Sequence, residues 1–138
     1  MSEELYQDAI VALAKAGHGA GAVDQKANVA TVDNPLCGDR VTVALTVDDG
    51  RIATLHHKVK GCLLCQAAAS LLGQRAPGAS QAAVAANAAA LDAMLTQGKP
   101  LPADAWPELA AFHPVARHKS RFDCVRLPFQ AAAKALND

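Results

Sequence analysis

The chain has 138 residues, which is the size of one domain with a single core. Hydrophobic residues make up 51% and charged residues 19%, so the composition excludes a disordered chain, and we expect no membrane partner because no apolar run is long enough to span a bilayer. The 13 basic and 13 acidic side chains balance, which disfavours binding to nucleic acid through phosphate neutralisation. We therefore predict one domain over residues 1–138.

The acidic side chains at the start of the chain argue against a secretory signal. Glu3, Glu4 and Asp8 precede most of the apolar residues there, whereas such a signal needs a basic start and a longer apolar stretch. We therefore expect the protein in the cytoplasm. In that reducing compartment, the four cysteines are expected to be metal ligands, reactive thiols or buried apolar side chains rather than disulfide partners.

The first half of the chain contains one predicted helix and three predicted strands. Apolar residues recur at helical spacing over residues 3–15, behind Ser2, which can serve as the N-cap. A shorter β-prone run over residues 28–32 predicts a strand. Residues 41–47 and 52–59 are rich in β-branched and apolar side chains and are separated by a glycine-containing turn, which predicts a hairpin. Such a small sheet needs helices to cover its apolar face.

A helix is predicted to follow the hairpin directly. Apolar residues without β-branching come after Gly61, and this helix should end near Gly73. Cys62 would then lie where the hairpin passes into the helix. Ser80 can cap the next helix, which is predicted to run through Leu95.

Two further helices are predicted towards the end of the chain. A short one is expected at residues 105–112, with Trp106 as a packing residue. The last helix should run to Leu136, and Pro128 is tolerable there if it lies in a first turn rather than in the interior of the helix. Strands first and helices after are typical of an α+β domain, so we predict a small antiparallel sheet of about three strands covered by several helices.

Three cysteines and one aspartate are expected to lie close together. Cys37 and Asp39 stand on a tight loop before the first hairpin strand, and Cys62 follows the second one. An antiparallel hairpin returns to the end where it began, so these residues can be neighbours. Cys124, near the last helix, could complete a set of three thiolates and one carboxylate. That set suits Zn²⁺ or one edge of an iron–sulfur cluster.

Other interpretations of the thiols and histidines stay open. A cysteine is often simply a buried packing residue, and this is what we expect of Cys65, with a resolving thiol in the Cys62-x-x-Cys65 spacing as the alternative. His56 and His57 fall in one strand and point to opposite faces, so they cannot both serve one site. His118 is the histidine that could swing towards Cys124.

Three motifs resemble the U-type iron–sulfur assembly proteins, the family of IscU, SufU and the NifU N-terminal domain. They are Asn-Pro-Leu-Cys-Gly-Asp at residues 34–39, Lys-Gly-Cys at residues 60–62 and Arg-Phe-Asp-Cys at residues 121–124. The resemblance covers the chain from residue 28 to its end. It implies a SufE/NifU-like fold and a metal or cluster held by four side chains: Cys37, Asp39, Cys62 and Cys124.

The same resemblance implies partners and roles. A SufS-like cysteine desulfurase would deliver persulfide sulfur, for which Cys124 is the expected acceptor, and apo iron–sulfur proteins would receive the product. Arg121 matches an arginine of the SufU branch, where a guanidinium can stabilise a thiolate or persulfide anion. No independent catalytic activity is expected, because the protein would act as a co-substrate of the desulfurase.

Two features point to the SufU branch. Residues 80–112 correspond to an extra helical segment of that branch, and Asp123 stands where IscU proteins have a histidine. The sequence therefore favours a SufU-like assembly protein that binds Zn²⁺ or a transient 2Fe–2S cluster and accepts sulfur. An IscU-type 2Fe–2S scaffold and carrier, and a purely structural zinc domain, are the alternatives. Whether His118 or Asp123 acts as an exchange ligand is left open.

Overall fold

The computed structural model describes residues 8–21, 27–35 and 38–137. Within them the chain forms three strands and four α-helices, in the order α1 Asp8–Ala16, β1 Asn28–Asn34, β2 Asp39–Asp48, β3 Arg51–Lys60, α2 Leu63–Arg75, α3 Gln81–Gln97 and α4 Phe122–Asn137. Two 3₁₀ stretches, Pro107–Arg117 and Lys119–Arg121, connect α3 to α4. The predicted α+β architecture is confirmed. No helix in these ranges is long and apolar enough to cross a membrane.

The three strands form one antiparallel sheet in the order β1-β2-β3. The predicted hairpin is confirmed, with Asp49 and Gly50 at positive φ in its turn. The last ladder pair at its open end joins Arg40 to Lys60. Asp39, at the start of β2, therefore lies beside the residues that leave β3, which is the proximity that the sequence predicted for the two ends of the hairpin.

The hydrophobic core lies between the sheet and the helices. α4 packs across β1 and β2, while α2 packs against α1, α4 and β3. The fully buried side chains include aliphatic residues of β2 and α2 and one phenylalanine of the first 3₁₀ stretch: Val41, Val43, Leu45, Leu71, Leu72 and Phe112. Burying one such side chain stabilises the fold by about 1.5–3 kcal/mol, so this packing fixes α2 and α4 relative to the sheet.

α2 ends close to the predicted position, two residues beyond Gly73. The helix continues to Arg75, and a Cβ atom at Gly73 would lie 1.9 Å from the carbonyl oxygen of His18. This glycine allows the backbone after α1 to approach the helix. Ser80 caps α3 as predicted, because its Oγ accepts a hydrogen bond from the N–H of Ala83 at 3.0 Å.

Two helical predictions need correction. Pro128 lies inside α4, not in its first turn, because the helix already begins at Phe122. The short helix expected at residues 105–112 is instead the 3₁₀ stretch Pro107–Arg117, where Pro114 interrupts any regular α-helical hydrogen bonding. Of the helix predicted over residues 3–15, the part before Asp8 lies outside the described residues.

Candidate metal centre

Asp39 supplies a buried carboxylate at the open end of the hairpin. The residue is 5% exposed, and its Oδ1 accepts a hydrogen bond from the backbone N–H of Cys62 at 3.3 Å. Its Oδ2 is also buried and has no hydrogen-bond partner among the described residues. Burying a polar oxygen without a partner costs about 1–3 kcal/mol, so this oxygen is suited to receive a cation.

The backbone around Asp39 leaves room for that carboxylate. A Cβ atom at Gly61 would lie 2.8 Å from the Asp39 Cγ and 3.0 Å from its Oδ1. Any residue other than glycine would therefore push the carboxylate out of its place. Gly61 precedes Cys62, so one short segment both seats the aspartate and supplies the next ligand.

Two helices bring their thiols to the same place. Cys62 is the N-cap of α2 and is partly buried, whereas Cys124 is the third residue of α4 and only 1% exposed. Ligand atoms of Asp39, Cys62 and Cys124 all lie within 4.8 Å of one another. Three of the four predicted ligands thus converge, while Cys37 lies outside the described residues.

The contact between the two sulfurs favours a thiolate. The pKa of Cys62 is lowered from 9.0 to about 7, chiefly by a hydrogen bond with Cys124 and in smaller part by the backbone amide of Cys65. Burial and the Asp39 carboxylate act in the opposite direction. Thiolates, not thiols, bind metals. Near neutral pH a fraction of the protein molecules therefore carries Cys62 as a thiolate that can coordinate a metal.

The donor set fits zinc or one edge of an iron–sulfur cluster. Thiolates with a carboxylate suit both, and the positive ends of the α2 and α4 dipoles stabilise negative charge at these positions. Three anionic groups within 4.8 Å would repel one another, and a bound cation would relieve this repulsion.

Charged residues lie close to Cys124 in the sequence. Asp123 accepts a hydrogen bond from Arg126 at 2.7 Å, and the same guanidinium binds Asp92 of α3 at 2.7 Å. This ion pair uses one carboxylate oxygen of Asp123, and the role of Asp123 as an exchange ligand stays a prediction. Arg126 was not among the predicted site residues, although its spacing of three residues from Asp123 on a helix indicates an ion pair. Arg121 lies in the second 3₁₀ stretch and is partly exposed, so its role beside Cys124 stays a prediction.

The remaining candidates do not join the cluster of Asp39, Cys62 and Cys124. Cys65 is fully buried, as predicted, and is not among the three residues whose ligand atoms converge. His57 is buried and His56 exposed, which confirms the expected alternation. The Nε2 of His57 donates to the His18 carbonyl oxygen at 2.7 Å, and burial lowers its pKa. This histidine ties the segment after α1 to β3.

The lowered pKa gives a test on metal-free protein. Alkylation of Cys62 by iodoacetamide should rise with pH and reach half its maximal rate at about pH 7, because only the thiolate above that pH reacts. Cys124→Ala should move the midpoint upward, since it removes the hydrogen bond, whereas Cys65→Ala should not, since the amide remains. Mass spectrometry of the tryptic peptide 61–75 locates the label. An unchanged midpoint in Cys124→Ala would contradict this assignment.

Comparison with known protein sequences identifies the family of this chain. The family profile described as NifU-like N terminal domain matches residues 5–127. The IscU scaffold protein of Thermotoga maritima is 32% identical over 71 residues, which are 51% of this chain and 50% of that protein. Two IscU scaffold proteins of Archaeoglobus fulgidus are each 30% identical over 74 residues, 54% of this chain and 48% of theirs. The chain thus spans about half the length of these relatives.

Solved structures share the whole fold. The N-terminal NifU-like protein of Brucella abortus superposes with a TM-score of 0.91 at 31% identity, covering 98% of this chain and 94% of that one. A protein of Fervidobacterium islandicum, described as an iron–sulfur cluster assembly scaffold of the SUF system, gives 0.86 at 23% identity and covers 99% of both chains. The family profile spans most of the chain, and the fold agrees with the NifU-like structure: the protein belongs to the NifU-like N-terminal domain family.

Proposed function

We propose that this protein takes part in iron–sulfur cluster assembly and holds a labile metal or cluster at Cys37, Asp39, Cys62 and Cys124. The observation that carries the proposal is the buried Asp39 Oδ2, which has no partner among the described residues and lies in the cluster with two thiols. Membership of the NifU-like family and relatives named as IscU scaffolds support it. Cys37, two residues before Asp39, is the proposed fourth ligand.

The form we favour is SufU-like. Its support is the helical segment between Cys62 and Cys124, which contains α3 and the first 3₁₀ stretch, and the aspartate at position 123. Zinc, when bound, would hold the thiolates together and supply positive charge. The Asp39 carboxylate is the least sulfur-like donor of the set, and a partner can displace it most easily.

Sulfur acceptance is the second part of this proposal. A cysteine desulfurase of the SufS type would present a persulfide, whose outer sulfur the Cys124 thiolate attacks. The S–S bond of the desulfurase persulfide breaks, its cysteine leaves as a thiolate, and Cys124 carries the sulfur. Cys124 lies in the first turn of α4, where unpaired N–H groups and the helix dipole favour an anion, and Arg121 is one turn earlier. Apo iron–sulfur proteins are the proposed recipients.

An IscU-type scaffold for a 2Fe–2S cluster is the second candidate. It is favoured by the names of the curated relatives, all of which are IscU scaffold proteins. A purely structural zinc domain is less well supported. A closed structural site has four cysteine or histidine ligands, whereas this cluster includes a carboxylate and a partly exposed thiol.

Ligand substitutions test the metal centre. Cys62→Ser and Cys124→Ser should each lower zinc affinity by more than about 100-fold, because even outer-shell partners of a metal contribute 10- to 100-fold. Cys65→Ser is the matched control and should keep wild-type affinity, since Cys65 lies outside the converging group. Competition titration with a chromophoric chelator measures the affinities. Loss of zinc from Cys65→Ser as complete as from Cys62→Ser would contradict the ligand set.

Peptide mapping tests sulfur acceptance. After a short reaction of metal-free protein with the cognate desulfurase and cysteine, persulfide should be found first on Cys124, in the tryptic peptide 122–126. Arg121→Ala, in which trypsin releases Cys124 in peptide 120–126, should slow the loading several-fold and leave zinc affinity unchanged. Lys119→Ala removes an exposed cation of the same 3₁₀ stretch and should load normally. Persulfide on Cys37 or Cys65 with Cys124 unmodified would overturn the assignment.

A further inference from the structure

Cys62 and Cys65 form a dithiol at the start of α2. Cys62 is the N-cap, with extended backbone angles of −70° and 171°, and Cys65 is the third helical residue. The Cys62 side chain makes no capping hydrogen bond, and the N-cap and the third helical residue stand about one turn apart on the same side of the helix. Residues so placed have Cα atoms within the roughly 4.4–6.8 Å that a disulfide needs.

The two thiols differ in what can reach them. Cys62 is partly exposed and faces Asp39 and Cys124, whereas Cys65 is 0% exposed and packs in the core. Small dissolved reagents therefore meet Cys62 before Cys65. Cys65 is placed to react within the protein, with the sulfur of Cys62, and the proposed metal site does not use it.

We propose that Cys65 is a resolving thiol, which attacks Cys62 when that residue carries persulfide sulfur, closes a Cys62–Cys65 disulfide and releases hydrosulfide. The source of the persulfide rests on the proposed function, because sulfur accepted by Cys124 must first pass to Cys62. The two sulfurs lie within 4.8 Å of each other, which places them for this transfer. In it, the Cys62 thiolate attacks the outer sulfur of the Cys124 persulfide, and Cys124 leaves as a thiolate.

The resolving step balances without an outside reductant. The Cys65 sulfur forms a bond to the inner sulfur of the Cys62 persulfide, and the bond between the inner and outer sulfurs breaks. The outer sulfur leaves as hydrosulfide and takes the proton of the Cys65 thiol. It has gained two electrons, and the two cysteines have lost two by forming the disulfide. A thiol reductant such as glutathione can then attack the exposed Cys62 and restore both thiols.

This step would release sulfur next to the metal ligands and at the oxidation level that an iron–sulfur cluster contains. Iron–sulfur clusters contain sulfide, whereas a persulfide carries sulfur at a higher oxidation level, so two electrons must be supplied. The dithiol supplies them next to the ligands. While the disulfide lasts, Cys62 cannot coordinate a metal, so each release leaves the site one ligand short until a thiol reductant acts.

The test uses metal-free protein loaded with sodium tetrasulfide and freed of excess reagent by gel filtration, so no desulfurase is needed. Wild type should release about one hydrosulfide, trapped with monobromobimane, for each persulfide lost. Its tryptic peptide 61–75 should become lighter by two hydrogens, as an internal disulfide requires. Cys65→Ala and Cys65→Ser should keep their persulfide at least about tenfold longer, because an intramolecular attack is faster than attack by solvent thiols.

The outcomes separate this proposal from the proposed function. Failure of the desulfurase to load the protein would refute sulfur acceptance, yet the tetrasulfide assay would still test Cys65. The proposal is overturned if wild type keeps its persulfide as long as Cys65→Ala, if the disulfide joins peptide 61–75 to peptide 122–126, or if peptide 61–75 gains neither sulfur nor a disulfide. The wild-type peptide map decides this even if both variants fold poorly.

Discussion

The buried carboxylate of Asp39 is the constraint on which the proposed site depends. Its Oδ2 has neither solvent nor a hydrogen-bond partner among the described residues, so the fold holds a negative oxygen at a cost that a cation would offset. The hairpin register places Asp39 beside the exit of β3, and Gly61 leaves the space that the carboxylate fills. The N–H of Cys62 fixes its other oxygen. All three features fix the position of the Asp39 carboxylate.

The helices contribute position and charge. α2 and α4 pack against each other, and each presents a cysteine at its N-terminal end, where the dipole favours anions. The pair is asymmetric, since Cys124 is buried and Cys62 is partly exposed. This asymmetry leaves Cys62 as the thiol that solvent reaches more easily. Cys65 is buried in the first turn of α2, close in sequence to Cys62. A purely structural zinc site at Asp39, Cys62 and Cys124 does not need this additional thiol.

Much of this arrangement could be predicted from the sequence. The strand alternation, the glycine-containing turn and Ser80 identified the hairpin and α3, and the hairpin alone placed Asp39 near Cys62. The rest depends on tertiary contacts that no local pattern encodes. Gly73 resembles a helix stop but is needed for the close approach of His18. Pro128 is tolerated inside a helix whose packing outweighs the lost hydrogen bond. The contact that makes Cys62 acidic joins residues far apart in sequence.

X-ray absorption at the zinc edge tests the central claim most directly, because it counts the atoms that Asp39 and the thiols supply. Wild-type protein loaded with one zinc should show a shell of three sulfurs at about 2.3 Å and one oxygen at about 2.0–2.2 Å. In Asp39→Ala that oxygen should be replaced by a water or another donor, while the three sulfurs stay. A shell of four sulfurs in the wild-type protein, or the loss of a sulfur from the shell in Asp39→Ala, would contradict the account.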